Sequence, residues 1–184
     1  MSVLAVLLLI SATPLPPPEI VPQTDAVGTP GVRVGFVVEA PPVLVLDMLW
    51  DVKRFREIFP DIKALTVLRS TDTQADVKFD VDAIIASPTY TLRRTLRSQA
   101  GEVSWVDIGG DLKRIVGRWI VTPHARGSHV IYESFVDVGV PGVSTVYRDV
   151  AKTKLDQMVV RVRAGAARAV ARTAPSAASS PSSP

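Results

Sequence analysis

Arg94 is the residue whose setting asks most of chemistry. In Thr89–Ser98 the side chains alternate, so Tyr90, Leu92, Arg94 and Leu96 share one face of a strand and Thr91, Arg93, Thr95 and Arg97 take the other. A guanidinium on the apolar face needs an acid partner, or a carboxylate or carbonyl on a ligand. Alternatively, a bulge or strand end carries it to solvent, where charged groups usually reside. Asp107, in parity with Trp105, and Glu133, in parity with Ile131 and Phe135, are the candidate partners. In an enzyme, Arg94, Asp107 and Glu133, with Tyr90, would be the groups able to move protons.

Other chemistries find less support. His124 and His129 stand five residues apart with no further ligand in sequence reach, so no metal site is expected. The chain has no cysteine, which excludes disulfides, thiolate nucleophiles and Cys-ligated metal. It contains no G-x-S-x-G elbow and no glycine-rich nucleotide fingerprint. No cofactor is expected.

The elements that position these residues follow from periodicity. Val34–Val38 is a β-branched, apolar run. Pro41-Pro42 then opens a helix, because the first helical N–H groups lack intrahelical partners anyway, and Leu44, Val45, Met48, Leu49 and Val52 continue it. Pro60 disfavours helical geometry at Phe59 and ends a second short helix there. Ile62–Leu68, Asp76–Ile85, Thr89–Ser98, Val103–Ile108, a strand through Ile115–Val121, and His129–Val138 read as antiparallel strands, with Thr122–Ser128 as a turn. From residue 144 to 171 a helix of roughly 42 Å is expected at 1.5 Å per residue. Tyr147, Ala151, Leu155, Met158, Val162, Ala166 and Ala169 form its inward stripe, and Gly165 weakens it locally. Its other faces are basic, with Arg or Lys at 148, 152, 154, 161, 163, 168 and 172, while the whole chain carries a net +3.

Residues 1–13 hold an apolar run too short to span a bilayer and read as a candidate signal peptide. No basic residue precedes the run and its cleavage site is poor, so export and a cytoplasmic location stand as equal alternatives. Residues 14–31, rich in proline, read as an extended linker, residues 32–172 as one folded domain, and residues 173–184 as a disordered tail.

The run Glu39-Ala-Pro-Pro-Val-Leu-Val-Leu-Asp-Met-Leu-Trp50-Asp-Val-Lys-Arg-Phe55-Arg-Glu-Ile-Phe-Pro60-Asp-Ile-Lys-Ala-Leu-Thr-Val-Leu68, with Gly117-Arg118-Trp119 later, resembles the START-related superfamily. That superfamily includes polyketide cyclase/dehydrase-like and coenzyme-Q-binding-like proteins. The resemblance implies an α+β helix-grip: a curved antiparallel sheet wrapped around a long C-terminal helix, with two short helices after the first strand. It also implies a lipophilic cavity between sheet and helix that holds a lipid, quinone or polyketide-like molecule. The residues expected to line it are Trp50, Phe55, Phe59, Phe79, Tyr90, Arg94, Trp105, Trp119, Tyr147, Leu155 and Met158. Binding without covalent chemistry is the primary expectation. The alternatives are a cyclase/dehydrase-like enzyme, and a module that docks on an anionic membrane or a partner through the basic helix. Nucleic acid is not an expected partner, and the chain is expected to be a monomer.

Overall fold

The computed structural model describes residues 13–82, 87–139 and 147–173. Its alternating segments pair into one eight-stranded sheet in the order β1-β2-β8-β7-β6-β5-β4-β3, every pairing antiparallel. The strands are β1 (Glu19–Thr24), β2 (Pro30–Val38), β3 (Ile62–Ser70), β4 (Gln74–Val81), β5 (Thr89–Arg97), β6 (Glu102–Gly110), β7 (Arg114–His124) and β8 (Gly127–Asp137). Between β2 and β3 lie α1 (Pro42–Trp50), a 3-10 turn (Val52–Arg54) and α2 (Phe55–Ile58), and the last described element is α3 (Tyr147–Thr173). This is the α+β helix-grip arrangement expected from the sequence. The start of α3 expected at residue 144, the candidate signal peptide up to residue 12 and the tail beyond 173 lie outside the described residues.

One face of the sheet carries the core. Val34, Phe36 and Val38 of β2, Val77 and Phe79 of β4, Leu92 of β5, Val103 and Trp105 of β6, and Trp119 and Val121 of β7 are all buried. Met158, Val159, Val162 and Ala166 of α3 and Val45, Leu46, Met48 and Leu49 of α1 complete the same cluster. Burial of apolar area is the main favourable term here, at about 25 cal/mol per Å². Gly165 has a packing role beyond its low propensity: a Cβ there would meet Met48 Sδ at 2.8 Å, so the glycine lets α1 and α3 close together.

Two expectations change. The segment read as a linker contains β1, paired with β2 from Glu19↔Gly35 to Thr24↔Pro30. Pro22 is compatible with this because β1 is an edge strand, where one missing N–H goes unnoticed. The connecting turn is built by Asp25, whose Oδ1 accepts from Val27 N at 3.0 Å and Thr29 N at 2.8 Å. The second change is at Thr122–Ser128, where β7 and β8 continue to His124↔Gly127 and only Ala125 and Arg126 turn. Gly127 adopts φ 122° there, a conformation that favours glycine. His124 and His129 are therefore strand residues, and His124 Nδ1 accepts from Arg126 N at 3.1 Å.

Candidate functional site: the concave face of the sheet

β5 delivers Arg94 to the inner face as its alternation requires, and the side chain is fully buried. Neither solvent nor an acid receives it. Nη2 donates to Leu49 O at 2.6 Å and Nη1 to Trp50 O at 3.0 Å. These are carbonyls at the C-terminal end of α1, where a helix leaves acceptors unpaired and where a cation is favoured by the helix dipole. The guanidinium carbon lies 5.1 Å from the Trp50 ring centre and 4.3 Å from that of Phe55, so both rings add cation–π attraction. Burial depresses the guanidinium to about 9, with Asp51 nearby opposing the shift. Nε has no hydrogen-bond partner.

The acids proposed to meet Arg94 are engaged elsewhere. Glu133 alternates with the inward Val130 and Tyr132 and so belongs to the outer face of β8. There it accepts from Arg33 Nη1 and Arg118 Nε, each at 2.7 Å. Asp107 uses Oδ1 to accept from Ile115 N at 2.8 Å, just past Val106↔Val116 in the β6–β7 ladder. Backbone carbonyls take the place expected for a carboxylate.

The aromatic residues named from the sequence converge more closely, joined by Tyr132. Phe59, Trp105, Trp119 and Tyr132 form one group, with ring centres 4.5 Å apart for Trp119–Tyr132, 5.8 Å for Trp105–Tyr132 and 6.4 Å for Phe59–Trp119. Phe79 stacks on Tyr90 at 5.6 Å and meets Phe55 at 5.9 Å. Trp119 is fully buried and its Nε1–H has no acceptor. Tyr90, Tyr132, Phe59, Leu112 and Val136 are only partly buried although they pack on the core. The register puts Tyr90 (opposite Gly110) and Val136 (opposite Ile115) towards the same end of the sheet.

Burial holds the Tyr90 phenol above its ordinary value, and the neighbouring Tyr132 adds to the shift. Tyr132 is raised by burial too, with the Ser134 side chain partly opposing. Both therefore stay neutral at ordinary pH. Tyr132 was not among the lining residues named from the sequence. Its parity with Val130 in the last strand was the available signal, and only the pairing Trp119↔Tyr132 brings it into the group.

On α3, Met158 is buried and Leu155 is partly buried against the core. The expectation for Tyr147 lies outside the described side chains. The basic face is largely compensated. Lys152 pairs with Asp156 at 2.8 Å, Lys154 pairs with Asp61 at 2.5 Å and Arg168 with Glu57 at 2.7 Å. Arg163 is half-buried; Nε donates to Val37 O at 3.0 Å and Nη2 to Pro16 O at 2.8 Å, so it is no free surface charge.

Solved structures share this architecture. The Zhui aromatase/cyclase from Streptomyces sp. R1128 superposes with a TM-score of 0.60 at 19% identity, over 79% of this chain and 96% of that one. A START superfamily protein from Mycobacterium smegmatis gives 0.63 at 14% identity, over 75% and 97%. A STAR-related lipid transfer protein from Xanthomonas axonopodis gives 0.59 at 20% identity, over 86% and 94%. A search of curated proteins gives no match. Residues 38–163, which run from the end of β2 to the middle of α3, match the family described as polyketide cyclase/dehydrase and lipid transport. The chain belongs to that family.

Proposed function

We propose that the protein binds an apolar small molecule, of lipid, quinone or polyketide-like character, between the concave face of the sheet and α3, without covalent chemistry. The observation that carries this reading is the group of inward aromatic rings at Phe59, Tyr90 and Tyr132 that remain partly accessible beside a buried core. Sites for apolar ligands are concave, aromatic-lined and furnished with few polar groups. The polar groups here fit binding better than turnover, because Glu133 is held on the outer face by Arg33 and Arg118 and Asp107 is engaged in holding Ile115 N. A cyclase/dehydrase-like reaction would rest on Tyr90 and Tyr132 as proton donors, which is the one feature favouring that second reading.

The test is native mass spectrometry of the purified full chain, followed by titration of the stripped protein with an environment-sensitive apolar dye. A co-purifying small molecule, or dye binding that the substitution Tyr132→Ala weakens, is the expected result. A clean mass together with dye binding indifferent to Tyr132→Ala and Tyr90→Ala would overturn the reading. Enzymatic action would appear as a product that Tyr90→Phe and Tyr132→Phe abolish while dye affinity stays unchanged.

A further inference from the structure

Among the described residues the concave face combines a wall of aromatic rings with a buried donor that nothing satisfies. Trp119 is fully buried, and the indole N–H can only donate. Folded proteins keep few such groups unpaired, since an N–H withdrawn from water without an acceptor is costly. The surroundings explain why the protein does not repair it. The neighbours of the indole are the rings of Phe59, Trp105 and Tyr132, whose faces are weak acceptors at best. The other unsatisfied donor on this face, Arg94 Nε, has the same polarity. Glu133 gives both oxygens to Arg33 and Arg118, and Asp107 gives Oδ1 to Ile115 N, so neither has a hydrogen bond to the indole. Among the described residues, the two buried side-chain atoms left unpartnered on this face, Trp119 Nε1 and Arg94 Nε, are thus both donors.

We infer that Trp119 donates its indole N–H to a carbonyl oxygen of the ligand, and that the ligand class is planar, apolar molecules bearing a ketone or quinone-type carbonyl. This rests on the concave face being the binding site. Tyr132 provides the approach: its ring is 4.5 Å from that of Trp119 and is partly accessible, so a flat molecule lying against Tyr132 stands about one ring's breadth from the indole. Offset or tilted stacking on these rings favours a planar molecule. An ammonium group, which can only donate, could not accept from the indole N–H.

The experiment compares 2-acetylnaphthalene with 2-ethylnaphthalene, which share a shape and differ in the carbonyl. Equilibrium dialysis against the full chain gives the ratio of their dissociation constants. Trp119→Phe should shift that ratio towards the ethyl compound by roughly threefold to tenfold, the worth of one neutral hydrogen bond. In parallel, the indole N–H proton resonance of Trp119 in the unmodified protein, identified by its loss in Trp119→Phe, should move downfield with the acetyl compound and not with the ethyl one. The second readout holds even if Trp119→Phe folds poorly, because assignment can equally be made by elimination from Trp50→Phe and Trp105→Phe. A ratio unchanged by Trp119→Phe, or an indole resonance that responds alike to both compounds, overturns the carbonyl assignment while leaving the binding site standing. Failure of both compounds to bind at all overturns the binding reading itself, and this inference with it.

Discussion

At the scale of single residues, Arg94 shows how a buried cation can be structural without a counter-charge. Its two terminal nitrogens occupy carbonyls that α1 leaves unpaired at Leu49 and Trp50, and the rings of Trp50 and Phe55 flank it. Removing a charge from a buried ion pair can stabilise a protein. Here the partners are backbone carbonyls, which Arg94→Leu would leave buried and unsatisfied. We therefore expect Arg94→Leu to lower unfolding free energy by about 1–3 kcal/mol. The loss should show as a lower urea midpoint with an unchanged slope. An unaltered midpoint would mean that those carbonyls find water or other donors. An effect on ligand affinity alone, with no loss of stability, would return Arg94 to the role of ligand anchor suggested by its strand parity.

At the scale of elements, the proline-rich segment is tied to the fold from both sides. β1 adds an edge strand to the sheet, Arg163 holds Pro16 O, and Arg126 donates to Thr13 O at 2.7 Å and Pro14 O at 3.1 Å while also pairing with Glu39. Arg114 meets Asp25 in the β1–β2 turn at 2.9 Å. A chain beginning at Gly31 loses all of these except the Arg126–Glu39 pair. At about 1 kcal/mol net for each well-formed hydrogen bond, the loss should reach at least about 2 kcal/mol. That corresponds to a melting temperature lower by roughly 4–8 °C for a domain of this size. Differential scanning calorimetry of the two chains decides the point, and equal melting temperatures would show the strap to be ornamental. Arg163→Ala should account for part of the loss. Arg161→Ala, with no ion pair among the described residues, should change stability by no more than about 0.5 kcal/mol.

At the scale of the whole molecule, the two buried phenols couple the fold to alkaline pH. Tyr90 and Tyr132 both have raised pKa values in the folded state, whereas an unfolded tyrosine ionises near about 10. The folded chain then keeps protons that the unfolded chain releases. The difference in bound protons (unfolded minus folded) is negative, and stability falls as pH rises from about 10. Below that pH the groups are protonated in both states and cost nothing. In a Tyr147→Phe background, the ultraviolet phenolate band should therefore rise together with loss of circular dichroism, and Tyr132→Phe should move that transition to higher pH. A phenolate band that grows while the fold persists would show these tyrosines to be freely solvated.

The local sequence determined most of the elements. Alternation placed the faces of β4 and β5, Pro41-Pro42 and Pro60 bounded the short helices, and the stripe from Leu155 to Ala169 oriented α3, because each of these signals depends only on neighbours along the chain. The same parity put Arg94, Trp105 and Trp119 on the inner face. What required the tertiary structure was everything decided by partners distant in sequence. The carbonyls that hold Arg94 belong to a helix forty-odd residues earlier. Glu133 turned outward because its strand register sets it beside Arg33 and Arg118, and Arg163 became half-buried because Val37 and Pro16 reach it. β1 formed from a proline-rich stretch because an open sheet edge was available to it, and Tyr132 joined the aromatic group because β8 pairs with β7 at Trp119. Periodicity tells a side chain which way to face, and only the packed chain decides what it finds there.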